Sequence, residues 1–246
     1  MKRIVLLLTG FIIPGLVWAN PPAAIEILDR IDQNMTGDHM ISTSSLVIHS
    51  LRGSRTIKAR SWIQGRDRSF TEYLAPAREK GTKMLKVENN LWTYYPRADR
   101  VVKIAGHMLR QSMMGSDLSF EDMMERPKLK EVYQATVEGE EIFMERSCWV
   151  LHLQAKTSDI AYQVRKIWVD QERFIALKEE LYTKRGKLLK TTEIREVFRA
   201  KERWYPRKMW FKDAFKTGKG TEILIHDIAF DVEIPDSQFS KRALRR

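Results

Sequence analysis

The chain has 246 residues, 43% of them hydrophobic and 10% aromatic, with a formal net charge of +11, which excludes a disordered polyelectrolyte. A single cysteine, Cys148, excludes an intramolecular disulfide, so the fold must be held by its core. The length suits one medium domain or two small ones.

The first stretch, MKRIVLLLTGFIIPGLVWAN, carries Lys2 and Arg3, an apolar run over 4–17 broken at Pro14-Gly15, and a small-residue end at Ala19. This is the pattern of a secretory signal peptide cut after Ala19. The run is shorter than the roughly 18 to 20 apolar residues of a membrane-spanning helix. A lipid anchor would require a cysteine at the cleavage site, where Asn20 stands. The expected product is an exported, periplasmic chain, residues 20–246. Loss of Lys2 and Arg3 leaves 41 basic against 32 acidic residues, a net +9. Outside the cytoplasm that surplus favours anionic membrane surfaces or acidic proteins over nucleic acid, unless it serves solubility alone.

PPAAIEILDRIDQNM follows, with Ile25, Leu28, Ile31 and Met35 at helical spacing behind two prolines, and predicts one amphipathic helix. From Thr43 the period becomes two. In RTIKARSWIQG, Ile57, Ala59, Ser61 and Ile63 share one face while Lys58, Arg60 and Trp62 share the other, as in a strand with one side buried. DRSFTEYLA, GTKMLKVE, LWTYY and DRVVKI continue the pattern between turn residues, which predicts an antiparallel meander. Alternation stops over 106–126 and resumes through KEVYQATVEG, SCWVLHLQA, YQVRKIWVD, RFIALKEELYT, KLLKTTEIREVF, RKMWFKDA and TEILIHDIAFDV, with KRGK (184–187) as a hairpin turn. Roughly a dozen strands and two helical stretches, without repeat or linker, predict a single α+β domain: one large curved sheet with helices against a single face.

Little in the chain specifies catalysis or a cofactor. His39, His49, His107, His152 and His226 are too dispersed for a common zinc motif. There is no G-x-S-x-G and no phosphate-binding glycine loop, and Cys148 sits in an apolar strand pattern where an inert thiol is expected. The chain is therefore read as a non-enzyme without cofactor or metal.

The interruption, 106–126, is the unusual feature: Met108, Leu109, Met113, Met114, Leu118, Phe120, Met123 and Met124 crowd one loop-like segment. Copper binding through thioethers is disfavoured, because no M-x-x-M or M-x-M spacing occurs there. Burying one such side chain contributes roughly 1.5 to 3 kcal/mol, so the cluster must be covered, either as ordinary core or as a lid over a ligand space. Ser119 is placed to cap a short helix whose first turn holds Glu121 and Asp122.

Three elements in order, the W-x-Y-x-P of residues 92–96, the R-V-x-x-I of 100–104 and GSDLSFED at 115–122, resemble the LolA-like outer-membrane lipoprotein-sorting proteins, and the likeness extends over most of the expected mature chain. That resemblance implies a LolA/LolB-like half-barrel of about eleven strands with helices covering the concave face. It also implies a periplasmic carrier for acyl chains of lipids or lipoproteins, with an inner-membrane exporter or outer-membrane acceptor as partner and transient contact with a membrane surface. The alternative it leaves is an interaction or sensor module attached to an exporter of the resistance-nodulation-division type. On this reading the apolar residues of 108–124 form a lid. Trp92 and Tyr94, of like parity, are expected to line the hollow with them, and Tyr95 to face away.

Overall fold

The computed structural model describes residues 21–35, 37–124 and 128–246; the expected signal peptide lies outside them. Helix α1 (Ala24–Met35) buries Ala24, Ile27, Leu28 and Ile31. With Met35 packed beside them, these residues occupy the i, i+3, i+4, i+7 positions of one stripe. Ile25, assigned to that stripe from the sequence, lies one position off it and is 56% exposed.

Six strands follow: β1 (His39–Ser50), β2 (Gly53–Gln64), β3 (Arg68–Ala75), β4 (Lys83–Val87), β5 (Asn90–Tyr95) and β6 (Arg100–Ile104). Residues 105–124 and 128–132 then form a strap containing two short α-helices, α2 (Phe120–Met124) and α3 (Leu129–Val132). Seven more strands complete the sheet: β7 (Tyr133–Phe143), β8 (Arg146–Ala155), β9 (Val164–Asp170), β10 (Ala176–Tyr182), β11 (Leu188–Ala200), β12 (Arg203–Asp213) and β13 (Gly220–Phe230). KRGK turns between β10 and β11 as expected, with Gly186 at φ 76°, a backbone state a side chain resists.

All thirteen strands form one antiparallel, curved, unclosed sheet in the order β6-β5-β4-β3-β2-β1-β13-β12-β11-β10-β9-β8-β7. The count exceeds the eleven or so implied by the resemblance, since each alternating segment finds its own place in the ladder. Two meanders are joined by the β1–β13 pair, in which Leu46 lies opposite Ile223. Register shifts at Thr43/Ser44, Val137/Gly139 and Ile194/Glu196 mark the irregularities that let so long a sheet bend. Because β6 and β7 are the two edges, the strap that connects them must pass across the open side of the trough.

Face assignment follows from packing. On the trough side, α1 covers Tyr133, Trp149, Leu151, Leu153, Ile167 and Val169 of β7 to β9. The strap covers Leu46, Ile57, Ala59, Tyr73, Met84, Leu91 and Ile104 of β1 to β6. The expected parity of β2 holds: Ile57 and Ala59 face the strap, while Trp62 faces away. The outer face is not bare. Ile234, Phe239, Ala243 and Leu244 of the segment after β13 pack there on Phe70 and Leu85, with Trp62 and Trp92 alongside. The α-helices cover the trough face as expected, and the terminal segment adds a cover on the other side, because the outer face of β2 to β5 is itself too apolar to leave in water.

Candidate functional site

The strap begins from the edge of β6, and its GSDLSFED stretch works as an anchor. Asp117 accepts the backbone N–H of Asp213 at 3.0 Å and the Thr221 hydroxyl at 2.7 Å, while its own N–H donates to Thr221 Oγ1 at 2.9 Å. Ser116 is fully buried and donates its hydroxyl to the Met113 carbonyl at 2.7 Å. Ser119 and Asp122 form a reciprocal cap on α2: Asp122 Oδ2 accepts Ser119 N–H at 2.6 Å, and Ser119 Oγ accepts Asp122 N–H at 3.3 Å. Arg55 donates to the Met114 carbonyl, and Lys86 to the Met124 carbonyl at 3.1 Å, tying the strap to β2 and β4.

Between α1, the strap and the trough wall of β9 to β13 lies a cavity of about 410 Å³. Ile31 and Met35 come from α1, and Leu118 and Met123 from the strap. Ile167, Leu181, Ile194, Met209, Phe211 and Ile223 form much of the sheet wall. Strand parity puts these side chains on one face: Ile194 pairs with Met209, and Met209 with Ile223.

Two charged groups of side chains border this apolar space, and both are satisfied. Asp122 pairs with Lys190 of β11 and accepts the Tyr162 hydroxyl at 2.5 Å. Burial alone would raise its pKa, but Lys190, Tyr162 and the Ser119 N–H outweigh this and hold the carboxyl below its ordinary 3.8. Arg165 lies between the rings of Tyr133 and Tyr162, donates to Glu179 at 3.0 Å and to the Tyr133 hydroxyl at 2.8 Å. Charges bound this tightly favour an inert, oriented wall over a reactive centre, since an unpaired buried charge is costly. Cys148 is fully buried, and burial pushes its thiol up to about 11. Among the described residues no three His, Cys, Asp or Glu side chains converge as a metal site. His226 hydrogen-bonds Ser45 at 2.7 Å, and His49 bonds Ser54 at the same distance.

The sequence-derived candidates separate into three groups. Leu118 and Met123 line the cavity and also join the packing on the β1 to β6 half. Met108, Leu109, Met113, Met114, Phe120 and Met124 pack instead on the trough face of the β1 to β6 half, filling it. Trp92 and Tyr94 lie on the outer face beside Leu244 and Phe239, the opposite of the expected side. Parity along β5 holds, but its sides are exchanged, so Leu91 meets the strap. The outer-face cover is why: Lys241 of the terminal segment stacks on Trp92, 4.5 Å from the ring centroid. Sequence reasoning missed the wall of β9 to β13 and its polar border. The alternation of Met209, Phe211 and of Ile223, Ile225 was visible, but nothing local distinguishes a wall left open from one that is covered.

A curved open sheet whose edges are joined by a strap over an apolar cavity defines the LolA-like half-barrel class. The profile of a family described as uncharacterized proteins matches residues 65–246, and the chain belongs to that family. Three solved structures share the fold. A domain provisionally named an outer membrane lipoprotein-sorting protein, from Vibrio parahaemolyticus, is 24% identical with a TM-score of 0.80, over 91% of this chain and 98% of that one. A DUF1329 family protein from Desulfovibrio piger is 24% identical with a TM-score of 0.82, over 90% and 97%. A LolA superfamily protein from Nitrosomonas europaea is 21% identical with a TM-score of 0.75, over 91% and 100%. No curated protein matches the chain.

Proposed function

We propose that the protein is a periplasmic carrier that shelters acyl chains of lipids or lipoproteins during transfer between membranes. The observation that carries this reading is the cavity of about 410 Å³, apolar along its sheet wall and bordered by charges already paired. Ligand cavities commonly span roughly 300 to 1,000 Å³. Each methylene moved from water into such a space contributes about 0.8 kcal/mol, enough for a long chain to be held without a covalent step. The methionines Met35, Met123 and Met209 adapt to chains of different shape. The lipoprotein-sorting name of the Vibrio parahaemolyticus domain supports the same reading.

The test is titration of a fluorescent long-chain fatty acid against the parent and against Met209→Trp and Ile223→Trp, which fill the cavity. At least tenfold weaker binding, with an unchanged β circular-dichroism spectrum, is expected for the filled variants. A parent that binds no acyl ligand, but retains a membrane exporter in a pull-down, would replace the carrier by an interaction or sensor module.

A further inference from the structure

The two ends of the half-barrel carry different chemistry. At one end the connections carry Asp67, Glu88, Glu145, Glu172, Glu202 and Asp231 among basic neighbours, with Glu172 paired to Arg146, Glu202 to Arg199 and Asp231 to Lys201. At the other, three hairpin tips join into one surface. Lys219 N–H donates to the His49 carbonyl and Ala214 N–H to the Leu189 carbonyl, each at 2.9 Å, so the β12–β13 tip is seated against both the β1–β2 and β10–β11 tips. Gly218 permits this approach: its φ is +117°, and a Cβ there would meet the His49 carbonyl oxygen at 2.9 Å.

From this surface two large apolar side chains project into solvent, Leu51, 77% exposed, and Phe215, 59% exposed. Around them stand Arg52, Lys184, Arg185, Lys187 and Lys219, all exposed, with Lys187 Nζ 4.3 Å from the Phe215 ring centroid. The carboxylates nearby do not cancel the field. Asp213 is half-buried and accepts the Phe215 N–H at 2.9 Å, Glu121 is half-buried, and exposed Asp159 sits on the β8–β9 connection. Beneath Phe215 a crevice of about 350 Å³ runs inward past Leu189. Leu118, Tyr162 and Lys190 line both this crevice and the apolar cavity.

We infer that this end docks on an anionic lipid bilayer, with Leu51 and Phe215 entering the headgroup region, and that the crevice is the passage by which an acyl chain moves between bilayer and cavity. Isolated apolar tips ringed by lysine and arginine suit an interface that is apolar below and anionic at its surface. The inference rests on the carrier reading for the passage, though not for the docking.

The experiment uses protein beginning at Asn20, as the expected cleavage leaves it, sedimented with vesicles of phosphatidylcholine alone or mixed with phosphatidylglycerol. Binding is expected only to the anionic vesicles and is expected to fall steeply with salt. Leu51→Ser with Phe215→Ser, and Lys184→Glu with Arg185→Glu, should each weaken sedimentation at least tenfold and slow transfer of a fluorescent acyl chain from vesicle to protein. Fatty-acid affinity in solution should not change in either variant. Glu202→Lys, at the other end, should sediment like the parent or better. Equal binding to both vesicle types, or tip variants that sediment like the parent, would overturn the docking. Retention of an acidic protein by the same tips, with no vesicle binding, would do the same. Vesicle binding without any fatty-acid binding would leave the docking standing and overturn the carrier and the passage.

Discussion

The two halves of the trough are built alike and used differently. In the half formed by β1 to β6, strap side chains such as Met113 and Phe120 fill the space over Leu46, Ile57 and Leu91, leaving ordinary core. Over β9 to β13 the strap contributes Leu118, Asp122, Met123 and Leu129 beside a wall that includes Met209, Phe211 and Ile223, and a cavity remains. The difference arises from where GSDLSFED is pinned. Asp117 clamps the strap to β12 and β13 at one margin of the open half, so the chain on its β1 to β6 side is pressed down while the rest spans the gap. An apolar pattern therefore reports burial, and only the anchors decide whether burial is by protein or by ligand.

The largest effect that would test this contrast is in the filled half. Phe120→Ala should lower unfolding free energy by about 3 to 5 kcal/mol, read from a urea denaturation midpoint, with acyl affinity of the folded fraction nearly unchanged. A loss below about 1 kcal/mol would show that the strap does not fill that half. The cavity-filling variants Met209→Trp and Ile223→Trp should show the converse, weak ligand binding with stability largely kept.

A smaller effect is expected at the latch between strap and wall. Asp122→Ala removes the carboxylate half of the α2 cap and leaves Lys190 without its carboxylate, a cost of about 2 to 3 kcal/mol. Because the folded pKa of Asp122 lies below 3.8, its contribution is fully present above that value and is lost as pH falls through the folded pKa. Asp170 acts in the same direction: burial opposes its ionisation, but Arg146 at 2.8 Å and the N–H groups of Arg173 and Glu172 prevail. Parent stability should thus decline below pH 3.8, and Asp122→Asn should flatten part of that decline in acid titrations followed by tryptophan fluorescence.

The smallest effect sharpens the register of β5. Trp92→Ala should cost about 2 kcal/mol through lost packing with the terminal segment, while fatty-acid affinity stays at the parent value. A weakened affinity would place Trp92 back at the ligand and show the outer-face packing to be unimportant.

Much of this architecture was legible along the chain. The period of two in RTIKARSWIQG correctly divided Ile57 and Ala59 from Trp62, and KRGK marked its hairpin, because strand pleat and left-handed glycine turns are local properties. Ser119 and Asp122 were recognisable as a helix start for the same reason. The apolar crowding of 108–124 likewise announced a segment that must be buried, as core or as lid, since exposure of so many methionines is untenable.

What the chain alone determined, then, was alternation, turns, caps and the need to bury the strap. Tertiary structure decided which side of β5 is the inside, because parity separates two faces without naming either, and only the packing of Leu244 and Phe239 on the far side makes that assignment. It also decided which half of the trough stays open. That outcome depends on the pairing of β1 with β13, which brings together strands from opposite ends of the chain, and on Asp117 meeting Thr221 across a separation of 104 residues. No local period encodes contacts so distant; they exist only once the curved sheet has brought their partners into reach.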